Sequence, residues 1–209
     1  MLKFDENQLI DWMQGVRENP DMINAFWPSQ VRSKIWLSDW VKQYLPSATK
    51  IIIFGAWYGV LADMLYLRLQ PWHGSPKILC NDIDKDAVDW CSRKYPTHLG
   101  RMENFTYETR VDLVINTVTE HLTQEIYNKW YSNIPNGTYF VIQGNNDYNE
   151  PDHVRATNSL EMFNKINNVK NVLHSESLTY EGPWNMEENK PTHYERYMTI
   201  GFKDNYDEN

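Results

Sequence analysis

The chain has 209 residues, enough to bury a sizeable core but short for two domains, and carries a formal net charge of −8 with no run of Lys or Arg. Affinity for nucleic acid comes largely from phosphate neutralisation, so this balance argues against a nucleic-acid substrate. The start, MLKFDENQLIDWMQG, lacks the basic residues and continuous apolar run of a signal peptide, and no later stretch stays apolar long enough to span a bilayer. The two cysteines, Cys80 and Cys91, have no CxxC spacing, which fits a reducing compartment; the expectation is a soluble, cytoplasmic protein.

Residues 1–49 read as a helical extension. Leu9, Ile10, Trp12, Met13 and Val16 recur at helical spacing, Pro20 and Pro28 interrupt, and a second helix from about Ser29 carries Leu37, Trp40, Val41, Tyr44 and Leu45 until Pro46 stops it. At Lys50 the period changes. Lys50 to Phe54 is a β-branched run that reads as a strand buried on both faces, and Val60 to Leu69 returns to helical spacing. The alternation then repeats: strand Lys77 to Asn81, helix Asp84 to Tyr95, strand Val111 to Ile115, helix Leu122 to Trp130, strand Thr138 to Gln143, and a helix bearing Leu160, Phe163, Ile166 and Val169. Val172 to Tyr180 and Tyr194 to Phe202 are extended with no helix between them, which predicts an antiparallel last pair. The fold class is therefore α/β, a Rossmann-like doubly wound, mainly parallel sheet with an antiparallel last strand. Residues 204–209 form an acidic tail expected to be disordered. Nine tryptophans and thirteen tyrosines are read mainly as core.

In such sheets ligands bind beyond the carboxyl ends of the strands. Gly55-Ala56-Trp57-Tyr58-Gly59 follows the first predicted strand and opens a helix; its glycines permit a tight turn and close approach of backbone to a ligand. Asp82 follows the second strand, where its two oxygens are placed to grip the paired hydroxyls of a ribose, while Asp84 is better placed to cap the next helix. Glu120 and His121 lie just beyond Asn116 and the strand Val111 to Ile115. A histidine can take a proton from an attacking oxygen or nitrogen, and a neighbouring carboxylate can orient it or attract a cation. The alternative there is a helix start capped by Thr119. After the fifth strand, Gln143 to Tyr148 offers polar groups suited to orienting a substrate, or forms an ordinary loop. The six histidines are widely spaced and predict no metal site.

These segments, jointly, resemble class I S-adenosylmethionine (SAM)-dependent methyltransferases. Ile51 to Gly59 is similar to their glycine-rich first motif, Ile78 to Asp84 to their acidic second, Val111 to Asn116 to their fourth, and Pro135 to Ile142 to the segment entering their fifth strand. The resemblance covers about residues 50–203 and implies SAM as cofactor, held by Gly55, Ala56, Trp57, Tyr58, Gly59, Asp82, Ile83 and Asn116, with Glu120 and His121 as catalytic groups. It implies methyl transfer to a small polar molecule or a protein side chain. Two positions depart from the family: Ile53 stands where an acidic residue is usual, and Trp57 where a central glycine is. Trp57 and Tyr58 then either wall the cofactor or mark a degenerate, non-catalytic module; transfer of a non-methyl group from SAM is a further alternative. The turns after the first and fourth strands and Glu195 to Gly201 resemble, more loosely, a group of uncharacterised methyltransferase-like bacteriophage proteins. Neither the acceptor nor the oligomeric state follows from the residues.

Overall fold

Strands and helices alternate from residue 50 to residue 166 in the computed structural model, which describes residues 6–73, 75–185 and 190–204. The strands are β1 (Lys50–Phe54), β2 (Lys77–Asp82), β3 (Thr97–Leu99), β4 (Leu113–Asn116), β5 (Tyr139–Asn145), β6 (Val172–Asn185) and β7 (Lys190–Phe202). The helices are α1 (Glu6–Glu18), α2 (Pro28–Tyr44), α3 (Val60–His73), α4 (Lys85–Cys91), α5 (Gln124–Asn133) and α6 (Leu160–Ile166). The seven strands form one sheet in the order β3-β2-β1-β4-β5-β7-β6. β1 with β2 and β2 with β3 are parallel, whereas β7 is antiparallel to both β5 and β6. Helices cover both sides, as the Rossmann-like expectation requires. The chain divides into two compact units, residues 1–102 with 110–113 and residues 103–109 with 114–209.

In the first unit β1 lies inside the sheet order, and Ile51, Ile52, Ile53 and Phe54 are all buried. A four-residue apolar run fits this position because neither face of a parallel sheet meets water. Its start is pinned by Asp112, whose Oδ2 accepts from the backbone N–H groups of Thr49 and Lys50 and from the Thr49 hydroxyl, each at 3.0 Å. Burial pushes this carboxyl up, but those donors outweigh it and hold it below the ordinary aspartate value. Pro20 and Pro28 start elements as well as separating them: Pro20 opens a 3-10 helix, Pro20–Phe26, and Pro28 is the first residue of α2. At a first helical position proline's missing N–H costs no hydrogen bond.

The N-terminal helices dock through fewer apolar positions than the periodicity of α1 suggests. Leu9, Ile10 and Met13 are exposed, and Trp12 with Gly15 forms the buried face. Trp12, Met22 and Ala25 join Tyr58, Val60, Met64, Ala87 and Trp90 in one core cluster. Polar anchors surround it. The Trp12 indole donates to Asp63 Oδ2 at 2.7 Å, Gln8 donates to the same oxygen, and Lys94 pairs with Asp11. These anchors explain why α1 docks with most of its leucine-type residues in solvent.

In the second unit β5 is buried along Phe140 to Asn145 and pairs residue by residue with β7, from Tyr139 opposite Phe202 to Asn145 opposite Arg196. β6 and β7 extend further toward each other than the sequence suggests. Gly182 and Pro183 break the alternation there, and the ladder absorbs them in a register shift between Glu181 and Trp184. The tail expectation for residues 205–209 lies outside the described residues. Among the described residues no helix is long and apolar enough to cross a membrane.

Candidate functional site

The turn after β1 is built from three left-handed residues in five: Gly55 at φ 67°, Trp57 at φ 49° and Gly59 at φ 75°. Glycine adopts that region freely, whereas a bulky tryptophan there is strained at a cost of about 1–3 kcal/mol. What holds it is Asp82. Its Oδ2 accepts from the Trp57 N–H at 2.6 Å, and its Oδ1 accepts from the N–H groups of Ile83 at 2.8 Å and Asp84 at 3.0 Å. Cys91 adds a thiol donor to the Trp57 carbonyl at 3.0 Å. A Cβ on Gly59 would meet that same sulfur at 3.0 Å, so both conformation and space call for glycine.

Asp84 caps α4, accepting from the N–H groups of Asp86 and Ala87, as its position suggests. Asp82 stands outside that cap but is not without partners of its own. A carboxylate offers about four lone-pair positions, and three backbone donors already occupy Asp82. It organises the glycine turn first, with room for one further donor at Oδ2. Tyr58 also differs from the cofactor-wall expectation: it is buried in the cluster under the N-terminal helices, where desolvation raises its phenol pKa, and Trp57 packs against the same cluster. Ala56 is buried and Ile83 is 69% exposed, leaving Ile83 as the accessible apolar side chain beside Asp82.

In the second unit Asn116 is fully enclosed, and its Oδ1 accepts from the Val118 N–H at 3.0 Å. The segment Thr119–His121 is a short 3-10 turn; α5 begins later and is capped by Thr123, not Thr119. Thr119 is buried and its hydroxyl donates to the Gln143 carbonyl. Glu120, 3% exposed, receives the Asn145 amide on Oε1 at 2.7 Å, with Arg196 Nη1 at 3.9 Å from that oxygen. Its Oε2 is enclosed without a hydrogen-bond partner among the described residues.

His121 Nδ1 lies 2.9 Å from Asp152 Oδ2, and its ring meets that of His153 edge-on, centroids 4.7 Å apart. His153 Nδ1 lies 2.7 Å from the Asp147 carbonyl. The sequence gives no sign of this histidine pair, because irregular chain after β5 returns His153 to the turn after β4. The polar run Gln143 to Tyr148 largely serves the protein itself: Asn145 holds Glu120, Asn146 accepts from the Glu195 N–H, and Asp147 accepts from the Asn149 N–H. Arg155 anchors the same region. Burial lowers its pKa, and it donates to Thr119 O, Gln124 Oε1 and Asn167 Oδ1 while stacking on Tyr127.

No protein-family model and no curated protein matches the sequence. Solved structures do share the fold. The chain is similar to the N-methyltransferase NodS from Bradyrhizobium japonicum WM9 in complex with S-adenosyl-L-homocysteine, at TM-score 0.61 and 13% identity, over 91% of this chain and 98% of that one. It is similar to a SAM-dependent methyltransferase from Archaeoglobus fulgidus at TM-score 0.52 and 16% identity, over 80% and 94% respectively. TehB from Haemophilus influenzae matches at TM-score 0.56 and 14% identity over 79% of this chain; the chain spans 60% of TehB. At these identities the likeness establishes a methyltransferase-type fold.

Proposed function

We propose that the chain transfers the methyl group of SAM to a small polar molecule or a protein side chain. The observation that carries this reading is the Asp82 clamp. A carboxylate at the end of β2 fixes a glycine-bounded turn at the end of β1 through the Trp57 N–H, in a fold that NodS uses while holding S-adenosylhomocysteine. On this reading the backbone from Gly55 to Gly59 receives the amino-acid end of SAM. Asp82 takes one ribose hydroxyl at its remaining lone pair, and Ile83 covers an apolar face of the adenosyl group. Alignment of the sulfonium methyl with the acceptor supplies much of the rate, so the protein's further task is modest. Glu120 and His121 handle the acceptor: Asp152 holds the His121 Nδ1–H, which leaves Nε2 able to accept a proton.

Incubation with SAM and candidate acceptors tests this, with S-adenosylhomocysteine as the expected product; methylthioadenosine would instead indicate transfer of another substituent. Glu120→Gln keeps the oxygen that Asn145 grips and removes the charge, so turnover is expected to fall by about 10²–10⁴-fold with SAM affinity little changed. Steady-state kinetics and a SAM titration of the variant check this together. A second reading has specific support, since Ile53 is fully buried in β1 and Asp82 is largely engaged by backbone: a module that keeps the sheet without catalysis. Absence of SAM binding would favour it. The net charge of −8 predicts weak, non-specific nucleic-acid binding at physiological salt, and tight, salt-sensitive gel shifts with DNA or RNA would contradict that.

A further inference from the structure

We propose that Glu120, His121 and His153 form a binding site for a divalent transition-metal ion of the Zn²⁺ type. One carboxylate oxygen of Glu120 and one ring nitrogen of each histidine lie within 4.8 Å of one another. The unexplained group in this cluster is the Glu120 carboxylate itself. It is 3% exposed, and its Oε2 has no hydrogen-bond partner among the described residues, although an enclosed carboxylate oxygen without a donor is costly. Asn145 engages Oε1, and the Arg196 guanidinium stands 3.9 Å from that same oxygen. A metal ion would supply the missing positive partner.

The histidine tautomers point the same way. A backbone carbonyl can only accept, so His153 Nδ1, 2.7 Å from Asp147 O, carries the proton. His121 Nδ1 donates likewise to the Asp152 carboxylate. In each neutral ring the lone pair is therefore at Nε2, and an imidazole whose other nitrogen donates to a carboxylate or carbonyl is the usual arrangement of a metal-bound histidine. Two imidazoles and a carboxylate suit Zn²⁺, Fe²⁺ or Co²⁺ and leave open positions, whereas Mg²⁺ prefers an all-oxygen shell.

Ligands bonded at about 2.1 Å in a tetrahedral site stand about 3.4 Å apart, so the 4.8 Å group contracts on loading. His121, with its side chain 36% exposed, has the freedom to make that movement. Arg155, the other cation of this region, is turned onto Thr119, Gln124 and Asn167. Metal loading would recast Glu120 and His121 from proton-handling groups to ligands. The site stands on residues of one unit and does not depend on SAM binding, so either reading can fail alone.

Calorimetric titration of Zn²⁺ into the tag-free 209-residue chain tests it, with Co²⁺ absorption reporting coordination. A single site is expected, with Mg²⁺ giving no comparable binding. His153→Asn retains an amide donor for the Asp147 carbonyl but has no Nε2. Loss of outer-shell partners alone typically weakens metal binding about 10–100-fold, so loss of a ligand should cost at least tenfold. His121→Asn carries the same expectation and serves where His153→Asn fails to fold by circular dichroism. His174→Ala, on β6 and outside this cluster, should bind as wild type does. No Zn²⁺ binding by the wild type, affinity unchanged in both asparagine variants, or loss of binding in His174→Ala would each overturn the proposal.

Discussion

Asp63→Leu is expected to lower the melting temperature by roughly 6–20 °C, from a loss of about 3–5 kcal/mol at about 2–4 °C per kcal/mol for a chain of this size. Asp63 sits on α3, 4% exposed, and gathers four donors: Gln8 Nε2, Trp12 Nε1 and the Tyr95 hydroxyl at 2.7 Å, and Lys94 Nζ at 3.4 Å. Replacing the acceptor alone strands the indole and phenol donors and releases α1, whose other apolar residues are largely in solvent. Two effects compete, because burial raises the pKa of Asp63 against the lowering influence of Lys94, Tyr95 and Trp12. The raised value means that the folded state binds this proton more tightly than the unfolded chain does. Its contribution is therefore complete below the unfolded value of about 3.9 and declines as pH rises through the folded one. The gap in melting temperature between wild type and Asp63→Leu should accordingly be wider near pH 4 than at pH 7. A gap that widens toward neutrality would show that the donors, and not desolvation, dominate.

The second large effect concerns Asp82. Alanine there removes the acceptor of three backbone N–H groups and releases Trp57 from a left-handed conformation that it does not favour. A hydrogen bond to a charged group is worth about 1.5–3 kcal/mol, so if even one such bond is lost from the bound state SAM affinity falls by about ten- to a hundred-fold. Trp57→Gly separates the clamp from direct contact. It keeps the N–H facing Asp82 and removes the strain, so affinity should stay near wild type. A Trp57→Gly protein as weak as Asp82→Ala would instead assign the binding to the indole.

Much of the sheet was legible because its strands differ so sharply from their surroundings. The run Lys50 to Phe54 has no polar residue after Lys50 and coincides with β1. β3, only Thr97–Leu99, is a three-residue edge strand with a half-exposed leucine and offers no periodicity to detect. The face by which α1 docks was not legible either, because its anchors are an indole N–H and ionic pairs, which a hydrophobic pattern does not record. At the candidate sites sequence position marked Asp82, Asp84, Glu120 and His121. It missed His153, whose approach depends on an irregular segment pinned by the His153 bond to the Asp147 carbonyl and the Arg155 N–H to Glu120 O. Nor did position alone record that Asp82 accepts from three backbone N–H groups of its own unit.

The most direct measurement is a calorimetric titration of SAM into the wild-type chain and Asp82→Ala under identical conditions. The account predicts saturable binding by the wild type at a single site, with affinity about ten- to a hundred-fold lower in a folded Asp82→Ala protein. Equal affinity in the two proteins, or no heat of binding in the wild type, would contradict it.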